Sequence, residues 1–172
     1  SVEKGIEEIL STNIPKILGK INWKKSMRWS NYSERWIRPI KNIFCIYKEK
    51  TIKFNYAGIS SNNYFFGNYH YSTNKVRCND IDSYKKKLKK EFVLLDGEER
   101  KKLIYKQLED FCQKNKLIFK FNDNLVTRVS DSVEYPNLFF GKFDESFFNI
   151  PDFLLETIIT EKQDNFSFRT KK

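Results

Sequence analysis

The sequence contains few of the side chains from which a self-contained active site is built. Among its 172 residues there is one histidine, His70, and there are three cysteines, Cys45, Cys78 and Cys112. The cysteines are odd in number and lack paired spacing, so neither a disulfide framework nor a metal site is indicated. There is no glycine-rich phosphate loop and no HExxH pattern. A Cys–His pair is formally possible, but no spacing favours it, and catalysis by this chain alone is not predicted.

Long apolar runs are also absent. No stretch approaches the roughly 20 apolar residues that are needed to span a bilayer, and the first residues show no signal-peptide pattern. The scattered cysteines are typical of reduced thiols. We therefore expect a cytoplasmic protein without a membrane partner.

Acidic residues are scarce in the first half of the chain. Residues 1–90 carry 19 lysines and arginines against 7 acidic residues, whereas residues 91–172 carry 13 against 15. A basic half of this kind provides an electrostatic footprint for a polyanion such as RNA. The alternative is a merely solvated surface, which is the common role of a run of charges.

What this basic half does contain is a stretch, residues 25–46, that mixes cations with aromatic rings. Its cations are Lys25, Arg28, Arg35, Arg38 and Lys41, and its large aromatic side chains include Trp29, Tyr32 and Trp36. Guanidinium groups bind phosphates in a planar, bidentate way, and a tryptophan face can stack on a base. The same mixture also forms ordinary surface packing of cations on rings.

The order of residues in this stretch resembles one protein family. Lys-Ser-Met-Arg-Trp at 25–29, followed by Trp-Ile-Arg-Pro-Ile at 36–40 and an apolar segment, is similar to the β subunit of the bacterial two-subunit glycyl-tRNA synthetase. Further signatures agree in order along the chain: Ala57-Gly58-Ile59, Ser61 with Gly67, Tyr84 with Leu88, Asp96 with Arg100, residues 125–129, Glu134-Tyr135-Pro136 and Gly141-Lys142-Phe143-Asp144-Glu145. Because a β subunit of that family is several times longer, the resemblance implies an excerpt from its N-terminal region.

The resemblance also implies a function and a set of partners. The whole enzyme attaches glycine to tRNA(Gly) with ATP and magnesium on its α subunit, in the service of protein biosynthesis. The implied partners are tRNA(Gly), the α subunit and the remaining β-subunit domains in an α2β2 assembly. No cofactor is expected in this piece, whose implied task is to hold or position tRNA away from the aminoacylation site.

Two alternatives stay open. The piece could be a scaffold that joins modules of the synthetase without touching tRNA, or an editing-like deacylase module. Glycine has no smaller competitor to reject, and larger amino acids are excluded by size, so the need for editing is weak.

Residues for tRNA contact follow from this interpretation. The candidate phosphate contacts are Lys25, Arg28, Arg35 and Arg38, with the lysine-rich run 85–90 as an extension, while Trp29 and Tyr69 are candidates for stacking, and Trp36 and Tyr32 for the core. The family's Gly-His-Arg-Phe run is replaced by Gly67-Asn68-Tyr69-His70, so His70 is included as a substitute for the missing histidine. As alternatives, Arg38 pairs with Glu134 or Asp131, and the lysine run is merely solvated.

The spacing of apolar residues predicts a mixed α/β fold in a single domain, residues 1–172. Residues 1–24 form a leading helix and connector, with the helical pattern ending near Asn13 to Pro15, and residues 25–172 form the core module. Predicted strands begin after Pro39 and cover 51–56, 92–95, 138–140 and 166–168, and predicted helices begin at Asn79 or Asp80, Asp96, Asp123 and Pro151. Mixed elements indicate a layered sandwich with a central sheet flanked by helices. The family resemblance further implies similarity to the editing-type module of the phenylalanyl-tRNA synthetase β subunit.

Overall fold

The protein is described by a computed structural model that covers residues 5–170. The chain divides into two compact units, Ser1–Glu91 and Phe92–Lys172, and each is described by itself. Val2, which the sequence places at the start of the first helix, lies outside the described residues. Two compact units are compatible with one domain or with two, so the single domain of the sequence analysis stays a prediction.

The first unit begins with helix α1, Ile6–Lys20. The prediction that the helix ends near Asn13 to Pro15 is wrong, because Pro15 lies inside it. A proline in a helix interior costs about 3 kcal/mol. The half-buried positions of the helix, which include Leu10, Ile14 and Leu18, recur at helical spacing on both sides of Pro15.

Three small sheets follow in the first unit. Strands β1 (Ile43–Phe44), β5 (Ile59–Asn62) and β4 (Asn55–Tyr56) form a mixed sheet in the order β1-β5-β4. The two hairpins pair β2 (Ile46–Tyr47) with β3 (Lys50–Thr51), and β6 (Tyr64–Phe66) with β7 (Lys75–Arg77). Lys48 and Glu49 connect β2 and β3, with φ of 44° and 65°.

The continuous strand predicted over residues 51–56 is wrong. The structure breaks it between β3 and β4, where the buried Ser61 takes over the hydrogen bonding. The Ser61 hydroxyl donates to the Ile52 carbonyl at 2.6 Å and accepts from the Phe54 amide at 2.9 Å. A side chain thus satisfies backbone groups that a neighbouring strand would otherwise pair.

Helix α2, Ile81–Lys90, closes the first unit. Asp80 caps it by accepting from the Ser83 amide at 2.7 Å, which confirms one of the two predicted caps. Leu88 is buried, and the Tyr84 ring stacks on Phe44 with centroids 4.7 Å apart. Ile81, at the start of the helix, is exposed, and the contact with the rest of the unit is made later, by Tyr84 and Leu88.

The second unit packs helices against one small sheet. Helix α3 (Gly97–Asn115) and helix α4 (Asp123–Ser132) enclose a core of Ile104, Leu108 and Val126, with aromatic rings from the antiparallel pair β8 (Leu117–Phe119) and β9 (Phe168–Thr170) against it. Asp96 caps α3 as predicted. The cap of α4 is Asn122 and not Asp123, because the side-chain carbonyl oxygen of Asn122 accepts from the Leu125 amide at 3.1 Å. Between α4 and β9 lie a 3-10 turn (Glu145–Asn149), helix α5 (Asp152–Thr157) and a π-helical turn (Ile158–Lys162).

Two predicted strands of the second unit are wrong, since residues 92–95 and 138–140 have no strand partners there. Arg100 donates to the carbonyls of Leu94 at 2.6 Å and Leu95 at 3.1 Å, and to that of Ser130 at 2.8 Å. Gln107 accepts from the Leu138 amide at 2.9 Å and donates to the Pro136 carbonyl at 3.2 Å. Both apolar runs are therefore held by long polar side chains of α3.

The part of the chain that the structure describes contains five α-helices and small mixed sheets, which confirms the predicted α/β class. Pro151 is the residue before α5, which places it one position earlier than predicted. None of the helices within residues 5–170 has both the length and the apolar character to cross a membrane. The likeness to an editing-type module stays a prediction.

The core of the second unit generates a stability prediction. Leu108 is fully buried whereas Leu95 is exposed, so the two leucines form a matched pair. Leu108→Ala is expected to lower the free energy of unfolding by about 2–5 kcal/mol, and Leu95→Ala by less than about 0.5 kcal/mol. Urea unfolding followed by circular dichroism measures both. Equal losses would contradict the location of the core.

Candidate nucleic-acid interface

The segment that carries most candidate residues forms a closed loop in the first unit. Met27 and Trp36 pair through two backbone hydrogen bonds, from the Met27 amide to the Trp36 carbonyl at 2.8 Å and in the reverse direction at 3.1 Å. Inside the loop the chain turns at Ser30, whose φ is 52°. We call residues 25–38 the basic loop. Its cations are thereby presented from a defined backbone and not from a free tail.

Aromatic packing seats the basic loop on the β4–β5 hairpin. The Trp36 ring contacts Trp23 and Tyr56 edge to face, with centroids 4.9 and 6.0 Å apart. Tyr32 lies over Gly58, where an added Cβ would overlap the Tyr32 hydroxyl. Trp36 is half-buried, in keeping with a packing role, whereas Tyr32 is more exposed than the predicted core position. The loop is thus held by rings on one side.

Gly58 meets two requirements at this contact. Its φ of 71° follows an Ala57 φ of 48°, which makes the β4–β5 turn one with two left-handed residues. The nearness of the Tyr32 ring leaves no room for a side chain.

Arg35 is tied into the base of the basic loop. Its guanidinium donates to the Ser26 hydroxyl at 3.1 Å through Nε and to the Ser26 carbonyl at 3.2 Å through Nη2. Sequence reasoning misses Ser26, because nothing in a Lys-Ser-Met run marks a serine as the acceptor for an arginine nine residues later. Arg35 therefore has an internal partner, which sets it apart from the other candidate cations.

The remaining cations of the loop face solvent. Lys25, Arg28 and Arg38 are exposed, and none of them forms an ion pair or a side-chain hydrogen bond within residues 5–170. Trp29, half-buried, contacts Tyr32 edge to face at 6.4 Å and lies beside these charges in sequence. Such a surface presents cations without acidic partners beside an aromatic ring. The cations can bind phosphates, and the ring can stack on a base.

Tyr69 and His70 lie in a second loop, between β6 and β7. The Asn68 carboxamide oxygen accepts from the His70 amide at 3.1 Å, and the Asn68 amide donates to the Glu91 carbonyl at 2.9 Å. Both rings are exposed, with centroids 3.9 Å apart. The hydrogen bonds anchor this loop to the end of α2 and leave Tyr69 and His70 on the surface.

The lysine-rich run of α2 is divided between two roles. Lys85, Lys86, Lys89 and Lys90 are exposed, as predicted for an outer face. Lys87, predicted with them, instead donates to the Arg77 carbonyl at 2.7 Å. The α2 surface is cationic, and its lysines near the helix C-terminus also interact favourably with the helix dipole.

The second unit contains a polar cleft of about 410 Å³. It is lined by residues of the β8–α4 connection together with Glu156, Thr160 and Ser167. The Tyr105 hydroxyl donates to Asp123 at its rim, and this bond raises the pKa of Tyr105 to about 12. Neither histidine nor cysteine lines the cleft. Within residues 5–170 no group of three histidine, cysteine or acidic side chains is placed to hold a metal ion.

Comparison with known proteins identifies the family of this chain. The sequence profile of the family described as "Glycyl-tRNA synthetase beta subunit" matches residues 1–172. The chain belongs to this family. The resemblance drawn from the ordered signatures is therefore confirmed.

Relatives from several bacteria support the assignment to this family. The glycine–tRNA ligase beta subunit of Syntrophomonas wolfei is 34% identical over 94% of this chain, that of Halothermothrix orenii is 34% identical over 90%, and that of Rickettsia bellii is 31% identical over 87%. The match covers only 24%, 22% and 23% of these relatives. This member of the beta-subunit family thus spans about a quarter of their length.

The contact of the basic loop with the β4–β5 hairpin leads to a prediction for Gly58. Gly58→Ala is expected to lower the free energy of unfolding of the first unit by about 1–2 kcal/mol for the left-handed backbone, and by more because the new methyl group overlaps Tyr32. The measurement is urea unfolding followed by the fluorescence of the tryptophans, all of which lie in this unit.

Two controls separate the causes of that loss. Gly19→Ala, in helix α1 of the same unit, places its Cβ at an ordinary 4.0 Å from the Tyr56 ring and should not lower stability, because alanine is the better helix former. In a Tyr32→Ala background, Gly58→Ala should cost less, because the overlap is gone and only the backbone strain remains. An equal cost in both backgrounds would argue against the Tyr32–Gly58 contact.

Proposed function

We propose that this chain is a tRNA-holding part of the beta subunit of glycine–tRNA ligase. The whole enzyme attaches glycine to tRNA(Gly) using ATP, and the α subunit carries the site for ATP and magnesium. The observation that supports a tRNA contact is the basic loop, whose Lys25, Arg28 and Arg38 are exposed and free of carboxylates although the loop itself is firmly seated. This piece acts by positioning tRNA and not by chemistry.

Each candidate residue then has its own task. Lys25, Arg28 and Arg38 contact phosphates, and Trp29 offers a ring edge or face for a base. Arg35 supports them by holding the loop base through Ser26, at the cost of part of its own phosphate-binding capacity. Tyr69 and His70 are a further stacking pair on a separate loop.

The alternative function is that of a scaffold without direct tRNA contact. In that case the basic loop would be a solvated face, and binding of tRNA by the full enzyme would not depend on its charges. An editing-like deacylase would need a nucleophile paired with a general base in a pocket. The cleft of the second unit contains carboxylates and hydroxyls, but Asp123 accepts from Tyr105, Glu156 pairs with Arg169, and the Thr160 hydroxyl donates to the Glu156 carbonyl.

Salt dependence of tRNA binding tests the proposal. For each phosphate contact that a substitution removes, the slope of log K against log salt concentration is expected to become shallower by about 0.7–0.9. Arg28→Ala and Arg38→Ala in the complete ligase should each reduce the slope by about that amount. Binding of tRNA(Gly) over a series of salt concentrations, by filter retention or fluorescence anisotropy, provides the slope.

The matched control is Arg77→Ala, an exposed arginine of the same unit outside the basic loop. Its slope should equal that of the unsubstituted enzyme. Ser26→Ala should weaken binding without changing the slope, because it loosens the loop and removes no charge. Unchanged slopes for both Arg28→Ala and Arg38→Ala, with normal folding, would favour the scaffold.

A further inference from the structure

The second unit exposes a surface of phenylalanine rings. Phe139, Phe148 and Phe153 are 84%, 65% and 72% exposed, and Phe143 and Phe147 are each about half exposed. We call these five residues the phenylalanine surface. Soluble monomers rarely expose so many large apolar side chains within one short segment, and such patches mark sites of protein contact.

Two of the rings, Phe147 and Phe148, lie in an ordered 3-10 turn. Asp144 accepts from the Ser146 amide at 2.8 Å and so caps the 3-10 turn, and the hydrogen bonds from Ser146 lower the pKa of the Asp144 carboxyl. Phe143 contacts Phe147 and Phe148, with centroids 6.5 and 5.3 Å apart. The three rings thus pack on one another outside the core. By contrast, the neighbouring Phe140 stacks on Phe111. A partner would meet a preformed apolar shape.

The charges around this surface exclude RNA as its occupant on electrostatic grounds. From residue 139 to residue 153 there is one cation, Lys142, against three acidic residues, Asp144, Glu145 and Asp152. A polyanion needs the opposite balance. Aromatic residues with few charges are the composition of the central part of protein interfaces.

The size of the relatives indicates which protein covers it. The chain corresponds to 24% of the Syntrophomonas wolfei beta subunit, so most of such a polypeptide lies outside these 172 residues. Covalent linkage gives another domain of the same chain an effective concentration in the millimolar range. That concentration favours an intramolecular partner over a second copy or a different subunit.

We infer that the phenylalanine surface docks against a further domain of the same beta-subunit polypeptide. The proposal rests on family membership and on exposure, and it does not depend on tRNA binding. The contact fixes this module within the longer chain, while the basic loop of the first unit stays free for its own ligand.

Hydroxyl-radical footprinting of the complete beta subunit tests the inference without any substitution. Phe121 is 56% exposed, close to the 65% of Phe148, and serves as the internal reference in the same unit. If a domain covers Phe148, its oxidation rate should fall at least five-fold below that of Phe121. Similar rates for the two rings would overturn the inference.

Photo-cross-linking identifies the occupant. A benzophenone amino acid replaces Phe148 in the complete beta subunit, with the same replacement at Phe121 as control. The expected product is a link within one polypeptide to a residue outside these 172, with a yield that does not change on dilution. Links to residues 5–91, to a second copy or to another subunit would each overturn the proposal.

Discussion

The packing of Trp36 between Trp23 and Tyr56 is the interaction on which the candidate interface depends. The basic loop closes with one pair of backbone hydrogen bonds, between Met27 and Trp36, and a single pair does not hold a loop in place. Edge-to-face ring pairs add about 0.5–1.5 kcal/mol each beyond the area they bury. Because the rings and the Arg35–Ser26 hydrogen bonds anchor the loop, Lys25, Arg28 and Arg38 do not have to, and they can face solvent.

The two units use their cations differently. In the second unit Arg128 binds Asp164 at 2.7 Å and Glu161 at 3.4 Å, and Arg169 binds Glu156 at 3.2 Å and Asp152 at 3.6 Å. The hydrogen bond to Asp164 raises the pKa of Arg128. Acidic side chains of the protein neutralise these two arginines, whereas the charges of Lys25, Arg28 and Arg38 in the basic loop remain available to a ligand. The first unit therefore offers charge, and the second offers the phenylalanine surface.

Local rules predicted the helix starts well and the strands poorly. The caps at Asp80 and Asp96 need only a side chain and an amide two or three residues away, so the sequence shows them. The strands predicted from apolar runs fail where Ser61, Arg100 and Gln107 supply hydrogen bonds from a distance in sequence. Arg100 reaches Ser130 thirty residues away, and no periodicity reveals such a partner.

The sequence by itself determined the α/β class, the family and the excess of positive charge in the first half, because each depends on composition, apolar spacing or ordered signatures. Only the tertiary structure decided which cations are free. Arg28 and Arg35 look alike in the sequence, yet Arg35 is bound to Ser26 and Arg28 is not. It also decided that the five residues of the phenylalanine surface lie outside the core, since burial depends on which surfaces meet, and residue type alone does not specify that.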